Sequence, residues 1–488
     1  MTMFTGPSTA TFTESNLRLL RSLGVDDIQV YMHWADIAPD PLSARRPAFD
    51  AGDPAAYPPA GWAPYDAIVR EAAALHMRLD LALVPPPPEW ARGPGAPRGP
   101  RPHPQWRPNA AMYGQWVHAV GVRYSGHYTP PGQTAPVPRV AFWSIWNEPN
   151  LGLDLAPQTA DHGAVEVSPR YYRALVDAAW SALTATGHGH DLILIGELAP
   201  AGMRQPGNFG MMPGLRFLRG LYCVGPSLEP LTGAGAASLG CPTTAAGSAR
   251  FRAANPGLFE AGGFADHPYP FGLAPDQLAS GEPDYTNLAA IPNLERTLDR
   301  IQAAYGSSAR FGIWSTEFGY LTTPPNPPGD TVSPQTAAYY LNWSEYLTWL
   351  DPRIRTYDQY ELEDPSTGIF ASGLLTASGT PKPAFYAFRM PIYLPRVTGA
   401  PGQPLLVWGA ARAAPLAAAA THRRQTVQIQ FSKGGRGAFR TIATVPIVSA
   451  HGYFAKLERF PASGLVRLAW APPSGAVQYS RTVVITLR

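Results

Sequence analysis

The sequence predicts a (β/α)8 barrel over residues 1–393, followed by a β-sandwich of immunoglobulin or fibronectin type over residues 394–488. Three observations carry this expectation. Strand-like runs alternate with amphipathic helix-like runs through the first half and beyond. The strand runs are apolar almost end to end, as strands covered on both faces are, and this specifies a parallel sheet with helices outside it. Beyond Leu394 the helical period disappears, and short β-branched runs punctuated by Gly, Ser and Pro take its place.

In chain order, TESNLRLLRSLG reads as a helix with a Thr cap and a Gly stop, and IQVYMHW as the strand after it. WAPYDAIVREAAALHM is helical by the spacing of Ile68, Val69, Ala72 and Leu75, and RLDLALV is the next strand, with Asp80 read as a buried, hydrogen-bonded structural acid. The Pro-rich stretch 85–106 suits neither helix nor central strand. It leads into the helix AAMYGQWVHAVGVRYSG, the strand VAFWSIW, the helix SPRYYRALVDAAWSALTATG and the strand DLILIG. Further strands are expected at GGFAD, RFGIWS and RTYDQYELED, with helices at NLERTLDRIQAAYG, TAAYYLNWSEYLTWL and KPAFYAFRM. Seven strands are clear, and the first of eight is expected within residues 1–12. A barrel with long loops fits this length. A doubly wound sheet would need a Gly-rich phosphate turn after an early strand, and the sequence has none. In the last stretch VWGAAR, TVQIQFSK, FRTIATVPI, YFAKLERF, GLVRLAW and RTVVITLR are the sandwich strands. With no Pro/Ser/Thr linker before it, this unit is expected to support the barrel; a tethered binding module is the other reading.

Composition narrows the function. Of 488 residues 45% are hydrophobic and 15% charged, and the net charge is +3, so a folded protein without a nucleic-acid footprint is expected. No apolar run reaches the roughly 18–20 residues of a membrane span. MTMFTGPSTATF lacks the basic start and apolar core of a signal peptide, and the abrupt beginning is read as the loss of an upstream strand or export signal. Cys223 and Cys241 lie in one loop-like stretch. Either they are two buried thiols, or they form a disulfide stapling a Gly/Ala-rich insertion; the second is the expectation, and it implies an oxidising compartment and a secreted protein.

In such barrels chemistry sits at the C-terminal strand ends. The fourth strand ends in Trp146-Asn147-Glu148-Pro149-Asn150 and the seventh in Trp314-Ser315-Thr316-Glu317-Phe318-Gly319-Tyr320. The apolar Trp beside Glu148 suits a carboxyl that must hold a proton, and Asn147 can hold a sugar hydroxyl. Two carboxylates on opposing strand ends can straddle a glycosidic bond, one protonating the leaving oxygen and one attacking the anomeric carbon. Asn147-Glu148-Pro149, with a Glu closing the seventh strand, resembles the clan A glycoside hydrolases, and WNEPN and WSTEFG are most similar to families 39 and 5. The resemblance spans most of residues 25–390. It implies a retaining glycosidase acting on a β-linked or arabinofuranosyl-type bond, with Glu148 as acid/base, Glu317 as nucleophile and Asn147 on the hydroxyl next to the anomeric carbon. His267 and Tyr269, in DHPY, match the family 5-like His-x-Tyr after the sixth strand, where the Tyr orients the nucleophile. The sequence departs from the pattern after the eighth strand, where Tyr357, Gln359, Tyr360 and Glu361 stand in place of a Trp platform.

His33 and Trp34 end the second strand and either line the site or pack in the core. Glu197 reaches substrate or makes a surface ion pair, and Gln359 and Glu361 are subsite candidates. No cluster has metal-ligand spacing, HExxH, GxSxG and the P-loop are absent, and no cofactor is expected; His188 and His190 in GHGHD are read as a solvated turn. The expected partner is a carbohydrate. A catalytically silent polysaccharide-binding barrel and a transglycosylase using the same carboxylates are the rival readings. The loops 85–106, 200–260 and 321–333 carry no readable code for the sugar; the first two are suited to wall off one end of a cleft, as exo action needs.

Overall fold

Because the strand runs are apolar on both sides, they need two hydrophobic layers, one under the helices and one inside the ring. The computed structural model, which describes residues 1–98 and 103–488, shows that arrangement. Gly99–Pro102 of the Pro-rich stretch lie outside the described residues. The strands are β1 (Met3–Gly6), β2 (Asp27–His33), β3 (Arg78–Val84), β4 (Phe142–Ile145), β5 (Leu192–Leu198), β6 (Gly263–Asp266), β7 (Ile313–Ser315) and β8 (Ile354–Thr356). They form one parallel eight-stranded sheet in sequence order. The amide of Met3 donates to Tyr357 O at 2.9 Å and that of Gln359 to Met3 O at 3.2 Å, which closes the ring between β1 and β8.

Side chains alternate across each strand. Ile28, Val30 and Met32 of β2 and Leu79, Leu81 and Leu83 of β3 face the helices and join the main core. The inward residues stack in layers. Met3, Phe142, Leu194, Ala265 and Trp314 make an apolar floor at the N-terminal end. Above it lies a buried polar layer containing Thr5, Gln29, Asp80, Ser144, Thr316 and Asp358. Its groups are linked to one another: Gln29 Nε2 donates to Asp80 Oδ2 at 2.9 Å, Ser144 Oγ donates to the same oxygen at 2.8 Å, and Thr5 Oγ1, which donates to Thr316 O at 2.6 Å, lies 3.1 Å from Asp358 Oδ1; Asp80 Oδ1 has no partner among the described residues. Burial pushes the Asp80 and Asp358 carboxyls well above the usual range, and neighbouring Glu197 and Glu317 add to it, which favours the neutral acids in this layer. The C-terminal end of the barrel rests on this layer.

The C-terminal strands form two sheets around a second core that includes Val407, Ile429, Val466, Leu468 and Ile485. This β-sandwich is joined to the barrel by a buried polar clamp as well as by aromatic packing. Glu345, on the barrel helix Pro334–Leu350, accepts from Arg412 at 2.5 Å and from the Tyr453 hydroxyl at 2.7 Å, and Arg412 also donates to Thr2 Oγ1 at 2.7 Å. Tyr346, Tyr393 and Trp408 pack beside it.

Cys223 and Cys241 are bonded to each other. Arg173, buried on the helix Ser168–Ala185, donates to Leu221 O at 2.8 Å and Gly240 O at 2.7 Å, so both ends of the stapled loop are fixed to the barrel wall. His188 is not in a solvated turn: it is fully buried, with Nδ1 2.6 Å from Asp191 and Nε2 3.0 Å from Gly121 O, because the turn folds back onto the helix Ala110–Arg123.

Two outcomes follow from this packing. Truncation at residue 395 should strand Glu345 and the aromatic patch without partners, giving an aggregating barrel; Arg412→Ala in the full chain should lower the unfolding free energy by about 3–5 kcal/mol in urea titration. A soluble, fully active 1–395 fragment would refute the supporting role. Reduction of the disulfide should cost about 3 kcal/mol in the chain-entropy picture for a loop of this size. Thermal melts with and without reductant check this, and coincident melts would contradict it.

Candidate active site

The C-terminal rim gathers the carboxylates expected from the sequence. One carboxylate oxygen each from Glu148 and Glu317 and a ring nitrogen of His267 lie within 4.8 Å of one another. Glu148 follows β4 directly, and Trp146 and Glu148 both take left-handed backbone conformations with φ of 70° and 36°. Such conformations are costly for these residues and persist where surrounding packing imposes them. Trp146 is fully buried against Tyr113, and Asn147 donates to Asp154 Oδ2 at 2.8 Å.

Glu317 is held from two sides. Tyr269 OH donates to its Oε2 at 2.7 Å, and Tyr31 OH donates to its Oε1. Burial raises the Glu317 carboxyl; the charged imidazole of His267 and the two phenols act against that rise, and Glu148 adds to it. Both phenols are themselves pushed well above their usual range by burial and by Glu317, so they remain donors.

His267 is fully buried and uses both ring nitrogens, Nδ1 at 3.0 Å from Glu148 Oε1 and Nε2 at 2.9 Å from Glu197 Oε2. Burial alone would lower its pKa, but Glu317, Glu148 and Glu197 outweigh it and raise it well above the ordinary value. Glu148, His267 and Glu317 are also spaced closely enough to hold a metal ion. Both ring nitrogens of His267 are already engaged by carboxylates, which suits proton exchange between them.

The other sequence-derived candidates fall in different places. Glu197 is neither at the surface nor open to a ligand: it is 1% exposed, beneath the site, and also accepts from Thr316 Oγ1 at 2.5 Å and Gln29 Nε2 at 3.2 Å. Trp34 is fully buried in the core, stacked on Trp116 at 5.6 Å, because the chain turns into a short helix at that residue. His33 is half-buried, set edge-on to the Tyr31 ring at 6.2 Å, with Nδ1 on Pro85 O. Gln359 is fully buried and spends its amide on Tyr360 O and Ser372 O, each at 2.9 Å, which braces the β8 loop. Glu361 is 5% exposed, and its carboxyl is pushed up to about 8 by burial, Asp364 and Glu317, with Lys382 opposing. Where the sequence lacks the Trp platform, half-buried Tyr360 and Phe370 meet edge to face at 5.6 Å, and Phe370 meets Tyr269 at 5.3 Å.

Tyr31 and Asp154 were not singled out from the sequence. Tyr31 sits two residues past Gln29 on the inward face of β2, and strand parity alone puts it over the polar layer.

No known family profile matches the sequence, and no curated protein matches it. Solved structures do. A family 39 glycoside hydrolase from the gut symbiont Bacteroides cellulosilyticus WH2 superposes with a TM-score of 0.50 at 16% identity, over 93% of this chain and 78% of its own. A glucosidase from Croceicoccus marinus gives 0.47 at 11% identity, over 96% and 92%. The β-glycosidase of the hyperthermophile Thermosphaera aggregans gives 0.46 at 13% identity, over 78% and 85%. At these identities the likeness is one of architecture, and the chain has the fold of the family 39 glycoside hydrolase.

Proposed function

We propose that this protein is a retaining glycoside hydrolase that cleaves an O-glycosidic bond of a polysaccharide, oligosaccharide or glycoside by double displacement. The observation that carries the proposal is the approach of Glu148 and Glu317 oxygens to within 4.8 Å at the ends of β4 and β7. Retaining sites hold their carboxyls about 5–5.5 Å apart, whereas inverting sites need roughly 6.5–9.5 Å to admit a water. The fold shared with the family 39 glycoside hydrolase supports the glycosidase part of this reading.

In the first step a Glu317 carboxylate oxygen bonds to the anomeric carbon as the bond to the leaving oxygen breaks, and Glu148 gives that oxygen its proton. Tyr31 and Tyr269 aim Glu317 and, as donors, favour its ionised form. Ester formation removes the negative charge of Glu317. Glu148, now a carboxylate, takes a proton from the water that attacks the anomeric carbon, and Glu317 leaves as the carboxylate. Asn147 is assigned to the hydroxyl beside the anomeric carbon. Glu361, whose carboxyl is raised to about 8, serves at neutral pH as a hydrogen-bond donor to a sugar hydroxyl. The disulfide fits an oxidising, extracellular setting, and among the described residues no helix is long and apolar enough to cross a membrane.

A screen of chromogenic glycosides followed by NMR of the first-formed product tests the proposal. The product should keep the substrate's anomeric configuration. Glu317→Ala should lower turnover by about 10⁴-fold, equivalent to about 5.4 kcal/mol. Glu148→Ala should cost about 10²–10⁴-fold on poor leaving groups and recover with azide. An inverted product would overturn the mechanism; a barrel that binds glycans but cleaves none would overturn the activity.

A further inference from the structure

Glu197 has no part in the mechanism above, yet it is among the most heavily bonded acids in the barrel. Its position is not the one a regular strand would give. On β5, Ile193 and Ile195 face the helices and Leu194 faces inward, so strict alternation would put residue 197 outside. The register shifts between Ile195 and Leu198, and Gly196 takes a φ of 110° there. A Cβ on Gly196 would stand 2.5 Å from Ala265 O, so no other residue fits this bulge. The bulge turns Glu197 into the ring, below His267. Tyr172 fixes it from the helix side, accepting from the Gly196 amide at 2.8 Å.

Resting on the glycosidase reading, we propose that Glu197 is a positioning residue of the acid/base step: its carboxylate keeps a proton on Nε2 of His267, so that Nδ1 and Glu148 Oε1 share the proton the leaving group will receive. The geometry requires one proton in each of two short contacts, at 2.9 Å to Glu197 and 3.0 Å to Glu148. Thr316 and Gln29 already donate to Glu197, so its remaining capacity is as an acceptor, and Nε2–H is the donor it faces. Nδ1 then either accepts from a protonated Glu148 or donates to an ionised one. The two forms differ only in the place of one proton, and the first is the competent acid. When Glu148 protonates the leaving oxygen, the proton departs with it, and the attacking water later restores it. The titratable acids around the pair are Glu317, 3.7 Å from Nδ1, and Asp266, Asp154, Asp358 and Asp80, whose carboxyls desolvation pushes up. Glu197 thus faces Nε2 as the acceptor that fixes which ring nitrogen keeps its proton and leaves Nδ1 to Glu148.

Glu197→Gln keeps the shape and removes the charge. The basic limb of its kcat/KM profile, where the shared proton is lost, should move down by about one pH unit, with activity above that limb falling about tenfold. Glu197→Asp keeps the charge and should lower kcat with the limb near that of the wild type. A folded Glu197→Gln protein with an unmoved basic limb would overturn the proposal, whatever its kcat. In case that variant does not fold, 15N NMR of histidine-labelled wild type, with His267 assigned by its absence in His267→Gln, reads the tautomer directly. Retention of Nε2–H throughout the titration is expected, and loss of Nε2–H before Nδ1–H would overturn the proposal. Failure of the glycosidase reading would show separately, as the absence of cleavage of any glycoside by the wild-type protein, while the NMR titration of His267 still reads the tautomer.

Discussion

The active end of this barrel depends on one buried imidazole with acids on three sides. His267 meets Glu148 and Glu197 through its two nitrogens and stands 3.7 Å from Glu317. Three carboxyl groups this close repel one another as anions, and an imidazole between them that accepts a proton offsets that repulsion. The side chains around them are placed accordingly: two phenols on Glu317, a hydroxyl and an amide on Glu197, an amide–acid contact beside Glu148.

This arrangement needs a foundation that branched apolar side chains could not supply. The polar layer of Gln29, Asp80, Ser144, Thr5, Thr316 and Asp358 reaches up to the site through Gln29, which touches both Asp80 and Glu197. Buried polar networks are costly when incomplete and specifying when satisfied. The apolar floor beneath, and the sandwich clamped to Glu345 on the outside, contribute the hydrophobic burial that such a network does not.

Much of this was legible in the sequence, for physical reasons. Near-continuous apolar strands reveal a parallel barrel, and Glu148 and Glu317 stand at strand ends beside Asn, Pro and Gly, where rim residues are recognisable. The rest depends on contacts between distant strands. Tyr31 reads as one more aromatic in an apolar strand until the ring closes it over Glu317. Trp34 and Gln359 look like rim residues by position, but a short helix and a bracing loop draw them into the interior. Glu197 reads as a residue past its strand; Gly196 within LILIGEL was the signal of a bulge, and the bulge reverses which way Glu197 points.

The central claim is that Glu317 forms a covalent bond to the sugar. Incubation with a fluorinated, activated glycoside of whichever sugar the protein hydrolyses, followed by peptide mass mapping, tests it most directly. A single sugar-sized mass increase on the peptide containing Glu317, released on transfer to an acceptor, is the result expected from this structure. Inactivation without a covalent adduct, or an adduct on any other residue, would contradict it.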